Sequence, residues 1–136
     1  MYLLTPIVAW LTAQVLKLVI ESWRNRGIDW KRFWGAGGMP SSHAAGSVAL
    51  TTVLWRDFGF NEPVVAVAFT FTVIVLYDAA NIRRETGRQA EILNKIVEAF
   101  RQQSQFTEER LKELLGHTPL QVLAGILLGF LIGYFI

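Results

Sequence analysis

Four apolar stretches dominate the pattern of the chain: 2–20, 41–55, 63–80 and 119–136. The first, third and fourth come near the roughly 20 apolar residues that a helix needs to cross a bilayer core about 30 Å thick. The second is shorter and rich in Ala, Ser, Thr and Gly, which let helices approach closely inside a membrane. We interpret it as an interior helix, with a buried helix of a soluble protein as the alternative. The pattern predicts an all-α integral membrane protein with four transmembrane helices.

The 81–116 loop is too long to lack structure in so compact a protein. Apolar residues recur in it at helical spacing with charged residues between them, which predicts an amphipathic helix on the membrane surface or against the other helices. A second short helix is expected from Thr107 to Gly116, and Thr118-Pro119 supplies a cap and a first-turn proline for the last span. The recurring apolar residues are Ile92, Leu93, Ile96, Val97 and Phe100.

Composition agrees with this interpretation. The 136 residues are 52% apolar and 18% charged, whereas soluble domains carry about 25% charged residues. A chain of this length forms one domain, which we assign to residues 1–136. The absence of cysteine excludes a disulfide framework, a thiolate metal site and a cysteine nucleophile. Because Met1 is followed at once by apolar residues with no basic segment, we expect no cleavable signal peptide.

The basic residues are distributed unevenly. Eleven of the 13 Lys and Arg residues lie in two regions, 24–32 and 83–112, between the first and second and the third and fourth apolar stretches. Four spans place both loops on one side and both termini on the other. By the positive-inside rule the basic loops are cytoplasmic, and we expect a bacterial plasma-membrane protein.

Both histidines stand where a predicted span begins on this cytoplasmic side. His43 ends the segment Gly-Gly-Met-Pro-Ser-Ser-His, and His117 lies in Gly-His-Thr-Pro. Helix N-termini favour anions because their N–H groups are unpaired and the positive end of the dipole lies there. Histidine is suited to proton transfer near neutral pH. Two helix starts of this kind, each with a histidine and near arginines, predict a phosphate site. The alternative is that both are ordinary histidines at the membrane interface.

The string Pro40–His43 resembles the P-S-G-H motif of the type-2 phosphatidic acid phosphatase superfamily, which includes lipid phosphatases and vanadium haloperoxidases. Lys17 and Arg24 reproduce the spacing of its K-x-x-x-x-x-x-R-P motif, with Asn25 in place of the proline. The third motif is S-R-x-x-x-x-x-H-x-x-x-D. Its histidine matches His117, whereas its arginine and aspartate are replaced by Leu111 and Gln121.

Three segments resemble a divergent branch of this superfamily from bacteria and plants. They read Gly-Gly-Met-Pro-Ser-Ser-His-Ala, then Tyr-Asp-Ala-Ala-Asn-Ile-Arg-Arg-Glu-Thr-Gly-Arg-Gln-Ala-Glu-Ile-Leu-Asn, then Leu-Gly-His-Thr-Pro-Leu-Gln-Val. The resemblance covers nearly the whole chain. It is most specific at 37–44 and 78–94.

The resemblance implies a phosphohistidine mechanism that uses neither a metal nor another cofactor. His117 would attack phosphorus, and His43 would protonate the leaving oxygen. Three further sets of residues complete the implied site: Lys17, Arg24 and Ser42 hold the phosphoryl oxygens, Arg83 and Arg84 replace the missing motif arginine, and Asp78 or Gln121 orients the imidazole. Plainer alternatives remain, since Lys17 is placed to pair with Glu21 and Asp78 with Arg83 or Arg84.

Three functions are compatible with these residues. The first is a lipid phosphatase that acts on a phosphomonoester or diphosphate resembling phosphatidylglycerophosphate or phosphatidate. The second is a catalytically inactive relative that binds anionic lipid head groups as a structural subunit, and the third is a small transporter component. We expect lipid partners and no nucleic acid. Gly125, Gly129 and Gly133 form a close-packing face for the intramolecular bundle or for a homo-oligomer.

Overall fold

The computed structural model describes residues 1–26, 38–101 and 118–136. Within these ranges the chain forms four helices and no strand, which confirms the all-α prediction for the described part. The helices are α1 (Leu4–Asn25), α2 (Ser42–Phe58), α3 (Pro63–Arg101) and α4 (Pro119–Phe135).

Each helix runs antiparallel to the one before it, so that α2 and α4 are parallel. At one end of the bundle the rings of Tyr2 and Phe58 lie 5.4 Å apart, and Arg56 Nη1 donates to the carbonyl oxygen of Tyr134 at 2.8 Å. At the other end Ser41 N donates to the carbonyl oxygen of Gln121 at 2.9 Å. The two chain termini therefore share one end, and α2 and α4 begin together at the opposite end.

The interface between α2 and α4 depends on the glycine face of α4. A methyl group built on any of the three glycines would collide with the backbone of α2; at Gly133 the distance to the Ala49 oxygen would be 2.6 Å. The contact is possible only because these positions lack a Cβ, which is how small residues let helices pack in membranes. This face therefore serves the intramolecular bundle. The opposed residues are Gly125 with Ser41, Gly129 with Ala45, and Gly133 with Ala49.

The central helix α2 also packs against α1 and α3. Gly46 faces α1, where a Cβ would lie 3.5 Å from the Pro6 oxygen. On the α3 side Thr51 Oγ1 and Thr72 Oγ1 lie 2.8 Å apart, and Thr72 Oγ1 also donates to the Ser47 oxygen at 3.0 Å. These hydroxyls thus satisfy one another inside the bundle, as buried polar groups must.

Large apolar side chains cover much of the outside of the bundle, including Val67 and Leu127, which are 70% and 65% exposed. Such a surface suits the hydrocarbon of a bilayer. Among the described residues, Leu4–Arg24 and Pro63–Asn81 are long and apolar enough to cross a membrane, and Pro119–Phe135 is apolar but shorter.

The third helix differs from its prediction. It does not end near Ala80 but continues as one helix to Arg101, so the region after 80 begins as a helical extension and not as a loop with a separate amphipathic helix. At 1.5 Å per residue, 82–101 extends about 30 Å beyond the apolar part. Good helix formers such as Arg, Glu, Gln and Ala fill this region, and no proline interrupts it. The expected helix over 107–116 lies outside the described residues.

The extension of α3 carries polar side chains on its surface. Lys95 Nζ donates to Glu91 Oε1 at 2.7 Å, an i,i+4 pair whose side chains are 73% and 50% exposed. This hydrogen bond and the charge of Lys95 lower the pKa of the Glu91 carboxyl. Such a pair is typical of a helix surface in water.

The glycine face leads to a stability prediction. Gly129→Ala is expected to destabilise the bundle by about 1–3 kcal/mol, because the new methyl group forces α4 away from Ala45. Thermal unfolding in detergent should then occur a few degrees Celsius lower. Gly46→Ala is the matched control, since its Cβ meets only ordinary contacts at 3.5 and 3.9 Å. Equal midpoints for the two variants would contradict the close α2–α4 contact.

Candidate functional site

A polar row lies on one face of α1 near its C-terminal end. Gln14, Lys17 and Glu21 follow one another at spacings of three and four residues, which places them on the same side of the helix. Gln14 and Lys17 are buried, with 5% and 2% exposed, and Lys17 Nζ donates to Gln14 Oε1 at 2.8 Å. A buried ammonium is costly unless it is hydrogen-bonded. The bundle thus holds a hydrogen-bonded lysine side chain in its interior at this level.

The turn before α2 packs directly on this row. Gly38 has φ +87°, and a Cβ built on it would lie 2.7 Å from Glu21 Oε1 and 2.9 Å from Lys17 Cγ. Only glycine combines this backbone conformation with so close an approach. The structure therefore brings Lys17 together with the Gly-Met-Pro-Ser-Ser-His segment, which lies more than 20 residues away in sequence.

Two serines form the beginning of α2. Ser41 is fully buried and is the N-cap; its side chain accepts a hydrogen bond from Ala44 N at 3.4 Å. Ser42, 4% exposed, is the first residue of the helix. The N-terminal N–H groups and dipole of α2 therefore lie at the level of the buried Lys17 row, where both favour an anion.

The beginning of α4 adjoins the same place. Thr118 is its N-cap and Pro119 its first residue, as predicted. Gln121 N donates to Thr118 Oγ1, and Thr118 N donates to Gln121 Oε1 at 3.0 Å, which completes a capping box. Since Ser41 N donates to the Gln121 backbone oxygen, the N-termini of α2 and α4 lie side by side.

His43 occupies a different face of α2 from the one that contacts α4. It is exposed and borders a groove of about 350 Å³ between α1 and α3. Its neighbours along the groove are Pro6, Ile7 and Trp10 of α1, Ser42, Gly46, Ser47 and Leu50 of α2, and Phe71 and Val75 of α3. Within the described ranges, no α4 residue lines this groove.

The sequence predicts five further site residues: Arg24, Asp78, Arg83, Arg84 and His117. Arg24 lies two turns beyond Lys17 on the same face of α1 and is exposed, and Asp78 is exposed on α3. Arg83 and Arg84 belong to α3, but only their backbone is described. His117 lies outside the described residues, as does Leu111. The described contacts thus join Lys17 and the start of α4 to the turn that precedes α2.

Three features of this site are not among the sequence predictions. The first is the contact of Gln14 with Lys17, although their three-residue spacing is a readable sign of it. The second is the role of Ser41 as the N-cap of α2, although serine before a helix is the expected cap. The Thr-x-x-Gln pattern from Thr118 to Gln121 is a capping-box signature, and it gives Gln121 a role besides that of orienting an imidazole.

No group of three or more His, Asp or Glu side chains that could hold a metal ion occurs within 1–26, 38–101 and 118–136.

Comparison with known proteins supplies the family. The family described as Divergent PAP2 family matches residues 1–132. The uncharacterized membrane protein YuiD of Bacillus subtilis (strain 168) is 37% identical to this chain. The alignment runs over 148 residues and covers 98% of this chain and 94% of YuiD. No solved structure matches the chain. These similarities confirm the resemblance that the motifs predicted.

The contact at Gly38 can be tested with a matched pair of glycines. Gly38 and Gly59 both have positive φ, near 90°, but nothing lies within 4 Å of a Cβ built on Gly59. Alanine at either position introduces backbone strain of about 1–3 kcal/mol. Only Gly38→Ala should also displace Lys17 and Glu21, so its thermal midpoint in detergent should fall several degrees further than that of Gly59→Ala. A loss as large in Gly59→Ala would argue against the contact.

Proposed function

The chain belongs to the Divergent PAP2 family, and from this premise we propose that it is a membrane lipid phosphatase. Its substrate is a lipid phosphomonoester or diphosphate of the phosphatidate or phosphatidylglycerophosphate kind. The phosphate group occupies the space at the N-terminus of α2 beside Lys17. The observation that carries the proposal is the close contact of Gly38 with Lys17 and Glu21, because it joins the lysine of the first motif to the turn of the second.

The chemistry proceeds in two steps. An imidazole nitrogen of His117 attacks phosphorus, the bond from phosphorus to the lipid oxygen breaks, and His43 gives that oxygen its proton. Water then attacks phosphorus and passes a proton to His43, the bond from phosphorus to the His117 nitrogen breaks, and inorganic phosphate leaves with both histidines restored. Fixed positive charge around a transferring phosphoryl group is commonly the largest catalytic contribution.

Several groups supply that charge and the hydrogen bonds in the proposal. Lys17, Arg24 and the N–H groups at Ser42 bind phosphoryl oxygens, and Arg83 or Arg84 replaces the arginine that the family pattern places at Leu111. Asp78 or Gln121 orients the His117 ring. A carboxylate also stabilises the imidazolium, so an uncharged Gln121 gives a slower reaction than the full motif would.

The proposed topology has four spans. α2 and α4 cross beside the two long apolar helices, both termini lie outside, and the start of α2, the start of α4 and the extension of α3 lie in the cytoplasm. The distribution of the basic residues supports this orientation. Such a site meets lipids of the inner leaflet.

The enzymatic proposal is tested by phosphate release in proteoliposomes that contain phosphatidate or phosphatidylglycerophosphate. His117→Ala should abolish turnover, and His43→Gln should reduce it by about 10²–10⁴-fold. Lys17→Met should lower kcat/KM by about 10²-fold or more. Lys95→Met is the matched control, since Lys95 lies on the exposed extension of α3, and it should leave turnover unchanged. Equal turnover by His117→Ala and the unaltered protein would exclude the role given to His117.

A second candidate function is favoured by Gln121. Its amide caps its own helix and carries no charge where the motif has an acid, which is compatible with binding of anionic head groups without hydrolysis. In that case phosphatidate binds, Lys17→Met weakens the binding, and neither the unaltered protein nor His117→Ala releases phosphate. Binding measured together with release separates the two functions.

The topology is tested with single cysteines, because the chain contains none. Asn61 and Gln89 are both exposed, in the α2–α3 turn and on the α3 extension. In intact cells an impermeant maleimide should label Asn61→Cys and leave Gln89→Cys unlabelled until the membrane is opened. The reverse pattern would place the site on the outer face, and labelling of both in intact cells would contradict the four-span arrangement.

A further inference from the structure

The walls of the groove beside His43 change from apolar to polar along its length. Its floor is α2, and α1 and α3 form its sides. Away from His43 its walls are apolar, with Pro6 and Trp10 facing Leu50 and Phe71. Ser42 and His43 are at its other end, where α2 begins.

The face of α1 that enters the groove continues this change from apolar to polar. Pro6, Trp10, Gln14, Lys17 and Glu21 are spaced by three or four residues and therefore lie in one row. The first two line the groove, and the next two are the buried polar pair joined by the 2.8 Å hydrogen bond. This row of α1 thus carries groove-lining residues and, further along the helix, a buried lysine; Pro6 and Lys17 are about 16 Å apart along the axis, the length of three helical turns.

We propose that this groove holds one hydrocarbon chain of a membrane phospholipid whose phosphate lies between Lys17 and the N-terminus of α2. The occupant follows from complementarity. An apolar groove that ends at His43 and a helix N-terminus, with the turn before that helix packed on Lys17, fits an amphiphile with an anionic head. The exposed rim residues Ile7 and Phe71, 52% and 55% exposed, leave the groove open to the surrounding lipid. The hydrocarbon chain of the lipid therefore enters the groove sideways from the bilayer, between α1 and α3. This inference rests on the proposed function only for the phosphate position.

A second groove on the molecule provides an internal control. It has about 390 Å³ and lies between α3 and α4, with Trp55, Phe69, Val73 and Phe130 among its walls. Of its three threonines, Thr51 and Thr72 are hydrogen-bonded to each other, and Thr52 donates to the Val48 oxygen at 2.8 Å. No His, Lys or Arg is among the residues that line it. It offers a lipid chain the same apolar contact without a site for the phosphate.

The test is photocrosslinking in phosphatidylcholine proteoliposomes with a phosphatidate that carries a diazirine near the end of one acyl chain. Crosslinks should concentrate on peptides that contain Trp10, Phe71 or Val75. Ile7→Trp, which fills the groove from its rim, should reduce these crosslinks several-fold, because the indole ring takes the space that the acyl chain would occupy. Val75→Trp should do the same from the α3 side. Val73→Trp, the matched substitution in the second groove, should change nothing.

Two further probes complete the test. A diacylglycerol with the same diazirine chain should not concentrate in the groove, because it lacks the phosphate that Lys17 and the α2 N-terminus hold. Crosslinking that is spread over all lipid-facing peptides, or that is unchanged in both Ile7→Trp and Val75→Trp, would overturn the proposal. So would equal enrichment of the two probes.

Crosslinking does not require turnover, so the groove proposal and the phosphatase proposal can be rejected independently of each other. Enrichment in the groove without phosphate release would reject the phosphatase and retain the groove as a lipid site. Phosphate release with scattered crosslinks would retain the phosphatase and reject the groove. In an active enzyme, Ile7→Trp should raise KM for long-chain phosphatidate, whereas Val73→Trp should leave it unchanged.

Discussion

The close approach of α4 to the backbone of α2 determines the rest of this structure. Because Gly129 has no Cβ, the two helices lie nearly in backbone contact and in parallel. The parallel contact sets their N-termini side by side, where Ser41 N donates to the Gln121 oxygen. Two helix N-termini, each with its partial positive charge, therefore share one location. α1 then adds Lys17, against which the Gly38 turn packs.

The contact with α4 occupies only one face of α2. One of its faces carries Ala45 and binds α4, whereas His43 stands on another face and borders the groove between α1 and α3. The start of α2 thus links a rigid helix pair to a surface open to lipid. In the proposed enzyme, a lipid head group bound at the start of α2 contacts the helix bundle on one side and the bilayer on the other. This arrangement suits a reaction on a molecule that never leaves the membrane.

Much of the fold was predictable because apolar runs and caps are local signals. The start of α4 at Thr118-Pro119 and the presence of a close-packing glycine face on α4 followed from such patterns. The length of α3 did not, because its apolar run ends near Ala80 whereas its helical hydrogen bonding continues to Arg101. That Lys17 lies near the Pro40–His43 segment was implied only by the family motifs, since no local signal links positions so far apart. His117 remains a prediction, because it lies outside the described residues.

The central claim is that a lipid phosphate lies against Lys17 at the N-terminus of α2. Solid-state NMR can measure it directly as the dipolar coupling between lipid ³¹P and side-chain ¹⁵Nζ in lysine-labelled protein with bound phosphatidate. A hydrogen-bonded ammonium places nitrogen within about 4 Å of phosphorus, so clear dephasing is expected in the unaltered protein and its loss in Lys17→Met. Dephasing that persists in Lys17→Met, or its absence in the unaltered protein, would contradict the account.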